Sequence, residues 1–158
     1  MERRKKRRDK RLTARMVMNK VGKRLAKLER MNFLECYAVF MSKAQLVEFA
    51  LKKILFKKYR YGKRRLEKMT LGVAIAELEQ RGLRKDFVSL LWRLNKHRKK
   101  MAHEFLADHS HMVALDRRFG HLSLKPLRNA LWKVEETIQV FDFLNQNKML
   151  YRRQRKPY

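Results

Sequence analysis

Residues 31–59 read MNFLECYAVFMSKAQLVEFALKKILFKKY. Tyr37, Phe40, Met41, Ala44, Val47, Leu51, Ile54 and Leu55 recur at intervals of three and four, the period of one helix face rather than the alternation of a strand. Tyr59, Tyr61 and Gly62 mark the end of this predicted helix, and KRRLEK follows as a basic turn. Upstream, residues 12–30 read as a basic helix with a thin apolar side of Leu12, Met16, Leu25 and Leu28, interrupted by Gly22. Downstream, Thr70 caps a short helix carrying Leu71, Ala74, Ile75 and Leu78, which stops near Gly82. Asp86 opens the next helix, with Phe87, Leu90, Leu91, Leu94, Met101, Ala102 and Phe105 as its buried stripe. Residues 107–125 read as a loop with one short turn around 113–119. Ser123 and Pro126 start a last helix, on which Leu127, Ala130, Leu131, Val134, Ile138 and Phe141 keep the helical period.

The expected fold is all-α: an antiparallel four- or five-helix bundle with basic, flexible termini. Its expected divisions are a disordered basic arm (1–11), a basic helix (12–30), the bundle (31–144) and a basic C-terminal tail (145–158). The arm holds too little apolar area to offset the entropy of ordering it.

The charge balance narrows the partners. The 158 residues carry 42 Lys and Arg against 15 Asp and Glu, a formal net charge of +27. A surplus of that size repels itself in a compact chain and attracts polyanions. It is also clustered, with 14 basic and 3 acidic groups in residues 1–30, and 9 basic groups against Glu67 alone in residues 52–68. Further acid-free runs are Arg93, Lys96, Arg98, Lys99 and Lys100, and then Lys148, Arg152, Arg153, Arg155 and Lys156. RNA is the expected partner. DNA ranks below it, because no helix-turn-helix spacing, zinc finger or leucine zipper is present. The basic N-terminus could equally be a nuclear address. No apolar run reaches the ~20 residues needed to cross a bilayer, so no membrane partner is expected. Cys36 is the only cysteine. It cannot form a disulfide within the chain, and it reads as a small buried hydrophobe in a cytoplasmic protein.

Within KKYRYGKRR, Tyr59 and Tyr61 interleave with Lys57, Lys58, Arg60, Lys63, Arg64 and Arg65. That composition suits single-stranded RNA, whose bases stack while its backbone is neutralised. The alternative is a helix end covering the core edge. Lys96, Lys100, Arg152, Arg153 and Arg155 extend the candidate nucleic-acid contacts. Trp92 and Trp132 read as core or interface anchors. Asp108, His109, His111, Asp116 and His121 lack the fixed spacing of a zinc site, so no metal or other cofactor is expected.

Arg98 is the anomaly. At about 100° per residue it falls near the centre of the stripe made by Phe87, Leu91, Leu94, Met101, Ala102 and Phe105. An arginine there meets a core carboxylate (Glu48, Glu135 and Glu136 are candidates), joins a subunit interface, or points into a cleft. The segment continues Leu94-Asn95-Lys96-His97-Arg98-Lys99-Lys100-Met101-Ala102-His103. It resembles the signature of the HEPN superfamily: an arginine, a polar residue that is usually asparagine, three variable residues and a histidine. AQLVEFALKKIL (44–55) and TLGVAIAELEQRG (70–82) are similar to the helices that precede that signature, and the resemblance covers residues 31–144.

The resemblance implies a helical bundle that is either a metal-independent endoribonuclease, often a toxin or part of antiviral defence, or a catalytically silent binding module. In the enzyme, Arg98 and His103 form the catalytic pair in the cleft of a symmetric homodimer. Lys99 fills the intervening polar position and His97 is an accessory. Lys99 replaces the usual asparagine, a change that favours phosphate contact. The chemistry is self-consistent: the RNA 2′-hydroxyl attacks the adjacent phosphate, a histidine moves the proton and a guanidinium holds the developing charge. A packed ribonucleoprotein component and a basic DNA-associated structural protein are the alternatives.

Overall fold

A computed structural model describes residues 12–105 and 124–151. The described residues are helical apart from one isolated bridge between Leu83 and Tyr151. The helices are α1 (Ala14–Ala26), α2 (Phe33–Tyr59), α3 (Lys63–Glu67), α4 (Leu71–Gln80), α5 (Lys85–Lys99) and α6 (Lys125–Gln146). Between α5 and the undescribed segment, Lys100–Phe105 is π-helical.

The expected stripes carry the core. On α2, Cys36, Phe40, Ala44, Val47, Leu51 and Leu55 are buried; on α4, Leu71, Ala74, Ile75 and Leu78. α2 starts on a capping box in which Asn32 accepts from the Glu35 amide at 2.9 Å while the Glu35 carboxylate accepts from the Asn32 amide at 2.8 Å. Its C-terminal cap is Arg60, in the left-handed region at φ 56°, where a side chain is disfavoured by about 1 kcal/mol. That turn throws the chain back, so the Tyr61 amide donates to the Leu55 carbonyl at 3.3 Å and Tyr61 is buried. Thr70 caps α4 as expected, accepting from the Val73 amide.

α6 packs against α1, α2 and α5, and α4 lies between α2 and α5. α5 and α6 run in opposite directions. Phe87 near the start of α5 meets Phe141 near the end of α6, with ring centroids 6.0 Å apart, and the Arg84 amide donates to the Leu150 carbonyl. The far end of α5 borders the first turn of α6. At 1.5 Å per residue the two ends of α5 are about 22 Å apart.

Several expectations need correction. The buried side of α1 is Val17 and Val21, whereas Met16 is exposed; two valines one helical turn apart continue into Leu25 and Leu28, and Met16 falls on the outer flank. KRRLEK is a short helix, α3, rather than a turn. The α-helix expected to run to residue 105 ends at Lys99 and widens into the π segment. Of the core or interface roles expected for Trp92, the core one does not hold: its ring is exposed, with the indole N–H donating to Glu79 at 3.2 Å. The chain after α6 does not leave the body at once: Leu150 is buried and Tyr151 pairs with Leu83. The arm (1–11), the loop around 113–119 and the Asp108–His121 cluster lie outside the described residues.

Candidate nucleic-acid interface

Most acids of the described residues are consumed internally. Glu135 on α6 is buried to 1% exposure, 3.3 Å from Arg24 of α1 and ion-paired with Lys43 of α2. With its amide oxygen turned toward α1, Gln139 accepts from both Arg24 terminal nitrogens at 3.2 Å. Glu77 takes Arg65 at 2.9 Å, Asp86 takes Arg84 at 2.5 Å and Glu136 takes Lys133 at 2.7 Å. Glu48 takes both Lys52 at 2.8 Å and Arg98 at 3.0 Å. Burial would make unpaired carboxylates costly, and the pairing leaves a surplus of cations outside.

That surplus gathers at the two ends of the α5–α6 pair. At the first end, Lys57, Arg60, Lys63 and Arg64 are exposed and have no acid partner among the described residues. The other residues of KKYRYGKRR are occupied. The Tyr61 hydroxyl donates to Glu77 and accepts from Arg81 at 2.6 Å. Its ring lies against the guanidinium groups of Arg65 at 4.3 Å and Arg81 at 5.1 Å. Tyr61 is therefore a core-edge residue with no open face for a base, as its alternative reading had it.

Tyr59 is half-buried under Arg81 and stands edge-on to Tyr151 at 6.4 Å. The Lys58 ammonium sits 3.2 Å from the Tyr151 ring centroid. Burial, followed by the adjoining Tyr59, raises the Tyr151 hydroxyl pKa well above the usual tyrosine range. These contacts start the C-terminal tail beside the α2–α3 turn, two basic runs that lie some 90 positions apart in the chain. Arg152, Arg153 and Arg155 themselves lie outside the described residues.

At the second end, Lys96, Lys99 and Lys100 are exposed, also without an acid partner among the described residues. Cations here complement the negative end of the α5 dipole, so helix stabilisation accounts for part of the cluster.

Arg98 resolves onto the first of its three candidate carboxylates. Its Nη2 is 3.0 Å from Glu48 Oε2, with 26% of the side chain exposed. The contact meets the distance for an ion pair but not the direction of a hydrogen bond. Both Glu48 Oε2 and the Arg98 Nε–H stay buried without a hydrogen-bond partner among the described residues. His103 is exposed on the π segment, and Lys99 is exposed on the last turn of α5. A π-helix spaces its hydrogen bonds five residues apart instead of four. The wider turn rotates His103 back toward the Arg98 side, relative to a continuous α-helix.

His97 faces elsewhere, into a cleft against α6. Its pKa is lowered by burial and then by Lys133, Lys100 and Lys96. The structure thus brings Arg98 to α2 and His97 to α6, and does not join them in one site. No group of His, Cys, Asp or Glu able to hold a metal occurs among the described residues. Sequence reading named Glu48 as a candidate for Arg98 but missed that Lys52 shares it; Glu48 and Lys52 stand four residues apart, the spacing that signals such a pair.

No helix among the described residues is long and apolar enough to cross a membrane. Comparison with family models, with curated proteins and with solved structures gave no match.

Proposed function

We propose that this chain is an RNA-binding protein, an antiparallel four- or five-helix bundle whose two basic ends contact the phosphate backbone. One observation carries the reading: internal pairing and hydrogen bonding absorb most of the described carboxylates, while Lys57, Arg60, Lys63, Arg64, Lys96, Lys99 and Lys100 stand exposed in two groups with no acid partner among the described residues. Phosphates would supply the missing counter-charge. RNA is favoured over duplex DNA by the resemblance to HEPN proteins, and because the sequence carries no helix-turn-helix spacing, zinc finger or leucine zipper. The test is competition between single-stranded RNA and duplex DNA of equal length. RNA is expected to displace DNA at lower concentration; the reverse order sinks the RNA assignment.

A second reading, metal-independent endoribonuclease, is favoured by the π segment next to Arg98. Such segments recur at functional sites, and this one leaves His103 exposed while Arg98 keeps an unused N–H. In this reading two copies complete the cleft. On α2, Leu46 (63% exposed), Phe49 (66%) and Phe56 (44%) form an uncovered apolar stripe. A second copy seated on this stripe is the dimer that this reading requires. In EDTA, wild type should cleave labelled RNA to cyclic-phosphate ends, and R98A and H103A should not. F49E should sediment as a monomer and lose cleavage with them. Cleavage that survives R98A and H103A refutes the assigned pair; tight binding without cleavage leaves the silent RNA- or ribonucleoprotein-binding module.

A further inference from the structure

The base-stacking role that Tyr61 cannot fill has better candidates in the helix before it. Phe49 and Phe56 of α2 are exposed, and neither ring has an aromatic neighbour among the described residues. Seven residues span almost two full helical turns, so the two rings lie on one line about 10.5 Å apart. That line runs opposite the buried side carried by Val47, Leu51 and Leu55. Lys53, also exposed, falls between the rings, and Lys57 and Arg60 continue the row to the end of the helix. None of these three cations has an acid partner among the described residues. We propose that this outer face of α2 is a track for single-stranded RNA, on which Phe49 and Phe56 stack bases while Lys53, Lys57 and Arg60 hold phosphates.

The track rests on the RNA-binding reading and adds to it the form of RNA that is bound. A lone exposed apolar side chain needs no special cause. Two rings in register, with a cation between them and two more beyond, match the two surfaces of an unpaired strand: base faces and an anionic backbone. No carboxylate of α2 joins the row. Glu48 is about 100° round the helix from Phe49 and is held by Lys52 and Arg98, and Glu35 belongs to the capping box. Tyr151 packs beside this end of α2, against Lys58, and residues 152–158 that follow it contain no Asp or Glu. A stacked strand advances about 3.4 Å per nucleotide, so about three steps at most separate the two rings and one short strand reaches both. A duplex keeps its base faces within its own stack and cannot use them. A second copy of the chain is the competing occupant. It would bury the Lys53 ammonium in the middle of the stripe, and interface cores are depleted of lysine, so the charge favours RNA.

The test compares a short labelled RNA of mixed sequence, alone and annealed to its complement, on the full chain. F49A and F56A are each expected to weaken single-strand binding about tenfold, the loss of one stacked base. The salt slope should stay as in wild type, because no charge is removed, and duplex binding should not change. F49W, which keeps an aromatic face, should bind as wild type does. K53Q should make the slope shallower by about 0.7, one phosphate contact. All three positions are exposed, so unfolding temperatures should hold. Single-strand binding that is steep in salt but unchanged in F49A and F56A overturns the track and leaves the RNA-binding reading standing. A wild type that binds neither RNA overturns both. A wild type that sediments as a dimer, with F49A a monomer, gives the face to a second copy and overturns the track.

Discussion

Raising the salt from 50 to 200 mM is expected to weaken binding of this chain to single-stranded RNA about 10³-fold, the loss for about seven phosphate contacts at a slope of about 0.7 per contact. Seven counts Lys57, Arg60, Lys63, Arg64, Lys96, Lys99 and Lys100, which are exposed with no acid partner among the described residues. Contacts from the terminal basic runs would steepen the slope further. The physical origin is release of condensed counterions, so the effect lies in log K against log salt and not in the fold. Surface ion pairs such as Arg84–Asp86 weaken over the same range, but each is worth no more than about 1 kcal/mol. Circular dichroism should stay constant through the series. Fluorescence anisotropy of a labelled RNA reads the slope; a value near zero would mean that the charge serves something other than phosphate contact.

K43M is expected to cost the fold about 2 to 3 kcal/mol, which lowers the midpoint of thermal unfolding by about 10 °C in a chain of this size. Glu135 is 1% exposed and is held between Arg24 and Lys43, so one carboxylate ties α1 and α2 to α6. Removing the lysine leaves that carboxylate buried with only Arg24, itself half exposed. Lys43 is partly solvated, so the cost falls short of the full penalty for breaking a buried pair. The double variant K43M/E135L tests the cause. Apolar side chains of similar volume remove the desolvated charge together with its partner, so most of the stability should return. Calorimetry of the wild type and both variants distinguishes this from simple loss of packing. A double variant no more stable than K43M would show that Glu135 contributes contacts the charge argument does not contain.

The parts of the fold that sequence revealed are those in which one helix face meets one core. Phe40, Ala44, Val47, Leu51 and Leu55, and likewise Leu71, Ala74, Ile75 and Leu78, are buried where the period of three and four put them. Failures came where residue type does not encode the deciding interaction. On α1 the apolar type of Met16 misled, since the helical period joins Val17, and not Met16, to Val21, Leu25 and Leu28. The π turn is a change of hydrogen-bond register, with no residue signature of its own. Five residues, Lys63–Glu67, are too few to display a helical period.

The candidate site shows the same division. Glu48 was one of three carboxylates open to Arg98, and choosing among them required the packing of α2 against α5. Tyr61 sits in a basic run that suggests base stacking, yet the left-handed turn at Arg60 folds its ring under Arg65 and Arg81. Clustering of charge was visible in the chain, but its collection at two ends about 22 Å apart follows from the opposed directions of α5 and α6. His97 was expected only as an accessory to Arg98 and His103, and the start of α6 makes it part of a cleft.

The most direct test is RNA affinity after neutralising the two ends, with Lys57, Arg60, Lys63, Arg64, Lys96, Lys99 and Lys100 changed to glutamine. All seven side chains are exposed, so helical content and unfolding temperature should hold. Affinity for single-stranded RNA at 100 mM salt should fall by about 100-fold or more, with a correspondingly shallower salt slope. A folded variant that binds RNA with wild-type affinity and slope would contradict the account.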